Sequence, residues 1–124
     1  MLNTNEIKNI LGTLKETIED ADRSLRVLHE DSIKHAEANA FLLARATEVE
    51  MILSAKQVIS ILIDKNDFFD EASLDRLACL VNSISRAANN IIEYNSILSS
   101  ELVEYMDNIY YEACSAFEKI TDLK

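Results

Sequence analysis

The near absence of residues that break regular structure constrains this chain more than any other feature. Its 124 residues include no proline and one glycine, Gly12. Tight turns, β-hairpins and phosphate-binding loops depend on those two residue types. We therefore do not expect a sheet-rich or loop-rich fold, and the glycine-rich nucleotide-binding signatures are excluded. The sequence predicts an all-α protein.

Two seams of apolar residues, with alternating spacings of three and four, support this prediction. The first seam comprises Ile7, Leu11, Leu14, Ile18, Ala21, Leu25 and Leu28. The second comprises Leu74, Leu77, Val81, Ile84, Ala88, Ile91, Asn95, Leu98, Leu102, Tyr105 and Ile109. Such spacing is typical of helices that pack against other helices at a shallow angle. Between the seams, a wider apolar face from Ala38 to Leu62 predicts a more deeply buried helix.

Capping signals mark where helices begin. Near residue 4, Asn3 can cap a helix and Leu2 with Ile7 form a hydrophobic staple; near residue 71, Asp70 caps and Phe69 with Leu74 form the staple. Weaker starts lie near residue 32 and near residue 99, where Ser99 could cap between Leu98 and Val103. Phe68 is either an exposed anchor or a residue that tucks under the end of the bundle.

Two architectures fit these boundaries, both within one domain spanning residues 1–124. Turns near residues 30 and 98 give a compact antiparallel bundle of four helices with coiled-coil-like packing. Without those turns, a loop near residue 66 joins helices of roughly 60 and 50 residues, about 90 and 75 Å long. Such a hairpin would dimerise to complete a four-helix bundle. We favour the compact bundle and leave a homodimer open.

No targeting or membrane signal is visible, so we expect a cytoplasmic protein. The first residues lack a basic run followed by an apolar stretch. The most apolar segment, residues 58–63, is far shorter than the roughly 20 residues of a membrane span. Cys79 and Cys114 are expected to stay reduced and to act as packing residues.

Catalytic and metal-binding chemistry has little support. The chain has two histidines, His29 and His35, and neither follows a glutamate by three residues as in di-metal bundles. Asp31 and His35 could offer two ligands on one helical face. A nucleophile would need a base and an orienting group beside it. We therefore expect no enzymatic activity, no metal and no cofactor.

Charge is the more informative feature. The net charge is −10, and residues 64–124 hold 12 of the 22 acidic side chains but 5 of the 12 basic ones. Residues 87–118 contain no lysine or arginine and all four tyrosines. Because phosphate neutralisation requires clustered cations, direct binding of nucleic acid or of anionic membranes is disfavoured.

Acidic and tyrosine side chains together favour a protein partner with a basic surface. The candidate partner-binding residues are Glu93, Tyr94, Glu101, Glu104, Asp107, Tyr111 and Glu112. We expect Tyr105, which lies on the seam, to fill the core instead. Asn95 is expected either to fix the register of helix packing or to be partly exposed to solvent near a turn. The favoured function is a non-catalytic interaction or regulatory module. The alternatives are a nucleic-acid-mimicking inhibitor and, less favoured, a ligand- or metal-binding bundle.

Overall fold

The computed structural model describes residues 4–66, 68–93 and 99–123, and every regular element in them is α-helical. The helices are α1 (Thr4–Asp20), α2 (Asp22–Lys34), α3 (Phe41–Lys65), α4 (Glu71–Glu93) and α5 (Ser100–Asp122). The predicted all-α class is confirmed. The described part of the chain forms five helices where we predicted four.

The extra helix arises from a break within the first seam. At Ala21 the backbone N–H donates to Ile18 at 3.0 Å, an i→i−3 bond that tightens the turn, and the Ala21 carbonyl accepts from Leu25 at 2.8 Å. Every residue of the first seam is buried across this break. Residues 4–34 therefore present one continuous apolar face to the core, although the break at Ala21 divides them into the two helices α1 and α2.

Helices begin near three of the four predicted places, with α1 starting at Thr4, α4 at Glu71 and α5 at Ser100. The predicted caps of the last two are seen directly. Asp70 Oδ1 accepts from the backbone N–H of Ser73 at 2.7 Å, and Ser99 Oγ accepts from that of Leu102 at 3.2 Å. Near residue 32 the prediction of a start was wrong. Ser32 Oγ instead donates to the carbonyl of Leu28 at 2.6 Å, so Ser32 stays inside α2. The caps or staples that involve Leu2, Asn3 and Leu98 lie outside the described residues.

Neighbouring helices run antiparallel around a common core. The segment α1–α2 contacts both α3 and α5, and α4 also contacts both α3 and α5. Between α2 and α3, Lys56 Nζ lies 3.0 Å from Asp22, and Arg45 Nη2 lies 3.0 Å from Asp31. The start of α2 therefore contacts the later part of α3 and the end of α2 contacts its beginning, as in an antiparallel pair. Two long helices joined at residue 66 are therefore not formed, since α2 ends at Lys34 and α3 begins at Phe41. The helices α3 and α5 occupy opposite corners of the bundle.

Burial matches the two seams but not the prediction for the segment between them. The described apolar residues of the second seam from Leu74 to Ile91, and Ile109, are buried, and Leu102 and Tyr105 pack at the edge of the core. In α3, by contrast, Phe41, Leu43, Val58 and Ile61 are exposed. The expectation of deeper burial for this helix was wrong, because neighbouring helices cover only part of its circumference.

Polar side chains fasten α2 to α3. The Arg45 side chain is buried, and its guanidinium donates to Ser32 Oγ at 2.5 Å and to Asp31 Oδ2 at 3.0 Å. Farther along, His29 Nε2 lies 2.7 Å from the Glu50 carboxylate. In α4 and α5, by contrast, the buried residues are almost all apolar.

Among the described residues, no helix is both long enough and apolar enough to cross a lipid bilayer.

Candidate functional site

The outer face of α5 carries a row of exposed residues that we call the acidic stripe. It comprises Glu104, Asp107, Tyr111, Glu118 and Asp122, and each of these side chains is exposed. The members are three, four or seven positions apart, so they lie along one side of the helix. Two carboxylates therefore precede the aromatic ring along this row and two follow it.

Local sequence explains why this face points outward. Ser99 fixes the start of α5, and the apolar side of the helix then turns inward. The buried residues on that side are Met106, Ile109, Ala113, Ala116 and Ile120. They repeat with the same three-four spacing as the acidic stripe but on the opposite side of the helix. Burial of the apolar side thus leaves the carboxylates in water.

Tyr111 is the aromatic centre of the acidic stripe. Its side chain is 69% exposed, and its ring meets that of Tyr110 edge to face, with centroids 5.7 Å apart and planes at 73°. Tyr110 is half-buried against the core, and its contact with Cys114 raises the pKa of its phenol. The exposed ring therefore rests on a partner that is itself fixed, which lowers the entropy lost when a ligand covers it.

Two predicted residues, Glu101 and Glu112, lie on the shoulder of α5 that faces the segment α1–α2 rather than on the acidic stripe. The Tyr105 hydroxyl donates to Glu101 Oε1 at 3.3 Å, and the charge of this carboxylate raises the pKa of Tyr105. Glu112 is half-buried beside a cleft of about 210 Å³ between α1 and α5. The cleft is also lined by Thr17, Asp20, Tyr105, Asn108 and Tyr111.

The structure brings only part of the predicted set together. Glu104, Asp107 and Tyr111 share the acidic stripe, whereas Glu93 lies at the end of α4 and accepts a hydrogen bond from Asn89 Nδ2 at 3.2 Å. Tyr94 lies outside the described residues, as does Asn95.

Sequence reasoning missed three acidic residues near this surface. Glu118 and Asp122 continue the acidic stripe at the helical spacing, and that spacing was the signal that could have found them. Asp20 joins from α1 at the cleft beside Tyr111. No pattern within α5 could reveal Asp20, because only the packing of α1 against α5 brings the two helices together.

The residues considered for chemistry are placed differently. His35 Nε2 lies 3.4 Å from Asp31 Oδ1, while the other oxygen of that carboxylate contacts Arg45. The described residues contain no group of three or more histidine, cysteine or acidic side chains arranged to hold a metal ion. Cys79 is exposed and Cys114 is partly buried, and both are free thiols.

Comparison of the chain with protein-family models, with curated proteins and with solved structures gives no match.

Proposed function

We propose that this protein is a non-catalytic interaction module whose acidic stripe binds a basic surface on a partner protein. The observation that carries the proposal is the exposure of Tyr111 among Glu104, Asp107 and Glu118 on one face of α5. A charged rim that surrounds an aromatic anchor is a common composition for a protein interface.

Each component has a distinct expected role. The carboxylates attract a basic partner over a distance of about one Debye length, ~8 Å at physiological salt, and so raise the association rate. Tyr111 supplies apolar contact area together with a hydroxyl that can pair at the interface. The aromatic ring should therefore govern how long the complex lasts, and the carboxylates how fast it forms.

The test is affinity capture of partners from the native lysate by two matched triple variants. The first variant carries Glu104→Lys, Asp107→Lys and Glu118→Lys. The control carries Glu16→Lys, Glu30→Lys and Glu37→Lys, which lie at exposed positions outside α5 and change the net charge equally. We expect the first variant to lose a partner that the wild type and the control both retain, with helicity unchanged in all three.

Two further measurements sharpen this test with the captured partner in purified form. Tyr111→Ala should weaken binding by at least about tenfold through faster dissociation. Raising the salt concentration should weaken binding of the partner by the wild type and by the control triple variant, which both keep the acidic stripe. Equal loss in both triple variants would show that net charge alone is responsible and would contradict the proposal. Competition by DNA or RNA for the same partner would favour the nucleic-acid mimic.

A further inference from the structure

The cleft between α1 and α5, beside Tyr111, is lined by two carboxylates that come from different helices. Asp20 reaches it from the end of α1 and Glu112 from the middle of α5, and none of the lining residues is basic. In the described part of the chain, no basic side chain lies within ion-pair distance of either carboxylate. Asp22, two positions farther on, instead pairs with Arg26 at 2.8 Å and with Lys56 at 3.0 Å. The two acidic groups of the cleft are therefore open to a cation from outside.

Two hydroxyl groups of the cleft have already donated their hydrogen atoms elsewhere. Thr17 Oγ1 donates to the carbonyl of Thr13 at 3.0 Å, and the Tyr105 hydroxyl donates to Glu101 Oε1 at 3.3 Å. Because a hydroxyl has one hydrogen, both oxygens are left as acceptors only. The ionised carboxylates are acceptors as well, so most polar atoms of this lining require a ligand that is rich in N–H donors.

Negative charge from both helices converges on the Tyr105 phenol at this cleft. The charge of Glu101 has the largest effect in raising the pKa of Tyr105, and that of Asp20 on α1 acts in the same direction. A cleft lined by one sign of charge concentrates the electrostatic potential more than a flat surface does. A ligand of this cleft should therefore be positively charged.

Tyr111 and the size of the cleft favour an arginine side chain over other cations. The ring of Tyr111 is 69% exposed and forms one wall of the cleft. A flat guanidinium can stack on such a ring and offers five N–H donors, whereas the ammonium group of lysine is compact, strongly hydrated and offers three. The volume of about 210 Å³ is smaller than the roughly 300–1,000 Å³ of sites for whole small molecules. It suits one side chain.

We propose that this cleft binds one arginine side chain of the partner protein, with the guanidinium between Asp20 and Glu112 and flat against Tyr111. The inference rests on the proposed function and makes it more specific. The acidic stripe attracts basic surfaces in general, whereas the cleft selects an arginine at one position of the partner. A neutral side chain at that position would leave the carboxylates and hydroxyl oxygens without donors, which provides discrimination.

The main test is an NMR titration of the protein with two peptides of equal charge, acetyl-Gly-Arg-Gly-amide and acetyl-Gly-Lys-Gly-amide. The arginine peptide should shift the side-chain amide signal of Asn108, which lines the cleft, until the shift saturates. The signal of Asn89, which lies beside Glu93 on α4, should not shift. The lysine peptide should bind at least about fivefold more weakly, because its ammonium group stacks less well and offers fewer donors. Equal affinities, or equal shifts of the two amides, would show attraction by net charge alone and would overturn the proposal.

A matched pair of variants tests the cleft without changing the acidic stripe. Asp20→Asn should weaken binding of the arginine peptide by at least about fivefold, since it removes one charge-assisted hydrogen-bond acceptor. Glu19→Gln removes the same charge at the neighbouring position, which does not line the cleft, and should keep wild-type affinity. Both side chains are exposed, so circular dichroism should show unchanged helicity. An Asp20→Asn protein that binds the arginine peptide as tightly as the wild type would contradict the proposal.

Replacing the aromatic wall provides a second and independent check. Tyr111→Leu keeps an apolar side chain at this position but removes the ring on which a guanidinium can stack. The preference for the arginine peptide over the lysine peptide should therefore fall. An unchanged preference would mean that the ring does not contact the guanidinium, contrary to the proposal.

The peptide titration also separates this inference from the proposed function. Loss of a captured partner by the triple variant of the acidic stripe, together with equal binding of the two peptides, would overturn the arginine site and leave the proposed function intact. Selective binding of the arginine peptide, together with equal capture of partners by both triple variants, would contradict the role of the acidic stripe and leave the arginine site of the cleft intact.

Discussion

The helices α3 and α5 are similar in length, 25 and 23 residues, and lie at opposite corners of the bundle, yet they show different chemistry to solvent. Within α3, three acidic residues balance three basic ones, and Leu43, Val58 and Ile61 are exposed. Within α5, six acidic residues accompany one lysine, and Tyr111 is the most exposed large apolar residue.

The difference teaches that the two surfaces deserve different explanations. Exposed carboxylates are well solvated, so a soluble fold can carry them with no partner. Exposed apolar side chains leave unfavourable hydration of roughly 25 cal/mol per Å² that only a covering surface removes. The exposed face of α5 is therefore mainly well-solvated carboxylate, whereas that of α3 includes apolar side chains in contact with water.

The largest effect is expected from a charge placed on the buried face of α4. This helix packs between α3 and α5, so the substitution tests which of its faces is buried. Val81 is fully buried, and Val81→Asp would place an unpaired carboxylate in the core. We expect the loss of at least about 4 kcal/mol, enough to abolish cooperative unfolding. Val58→Asp on the exposed side of α3 is the control and should stay folded. Circular dichroism melts of both variants provide the measurement, and a well-folded Val81→Asp protein would refute the assignment.

A smaller effect on the free energy of unfolding is expected from the different interactions that attach α3 and α5 to the bundle. The α3 corner depends on the buried guanidinium of Arg45, while α5 depends on apolar packing. Arg45→Ala removes the hydrogen bonds to Ser32 and Asp31 and the packing of the side-chain stem, so we expect a loss of about 1–2 kcal/mol. Arg45→Met restores the stem and should cost less, because the Asp31 left behind is exposed and can be solvated. Urea unfolding measures both; equal losses would mean that packing contributes nothing here.

The smallest expected effect is a difference in how the stability contributed by the caps of α4 and α5 depends on pH. The hydrogen bond from the Ser73 backbone N–H holds the pKa of Asp70 below its ordinary value of 3.8, whereas Ser99 does not ionise. The ionised cap therefore contributes stability above the unfolded pKa and loses it as the pH falls through the lower folded value.

Asp70→Asn keeps an accepting oxygen at this cap but cannot titrate. The wild type should be slightly more stable than this variant at neutral pH, because its charge also favours the helix N-terminus. That advantage should shrink as the pH falls below about 4, the ordinary pKa of an aspartate, and disappear only below the lower folded value. Chemical unfolding of both proteins across this range gives the difference directly, and a gap that widens in acid would contradict the assignment.

Much of the fold could be predicted because its signals are local. Spacing along α1, α2 and α4 identified the residues that are buried, and Asp70 and Ser99 were recognised as caps from their immediate neighbours. The boundary between α2 and α3 was predicted wrongly because a serine such as Ser32 can either cap a new helix or donate a hydrogen bond to a carbonyl of the helix that precedes it. That choice depends on Arg45, which lies 13 positions later in the chain.

The candidate surfaces show the same contrast between what local sequence predicts and what distant residues decide. The sequence by itself determined the all-α class, the apolar seams and the acidic excess of the second half, since these follow from residue type and helical period. Only the tertiary structure decided that Phe68 is exposed and that Val58 and Ile61 remain uncovered. It also decided that Asp20 stands beside Tyr111. Period shows which residues share a side of a helix, but the neighbours packed around that helix decide which sides water reaches.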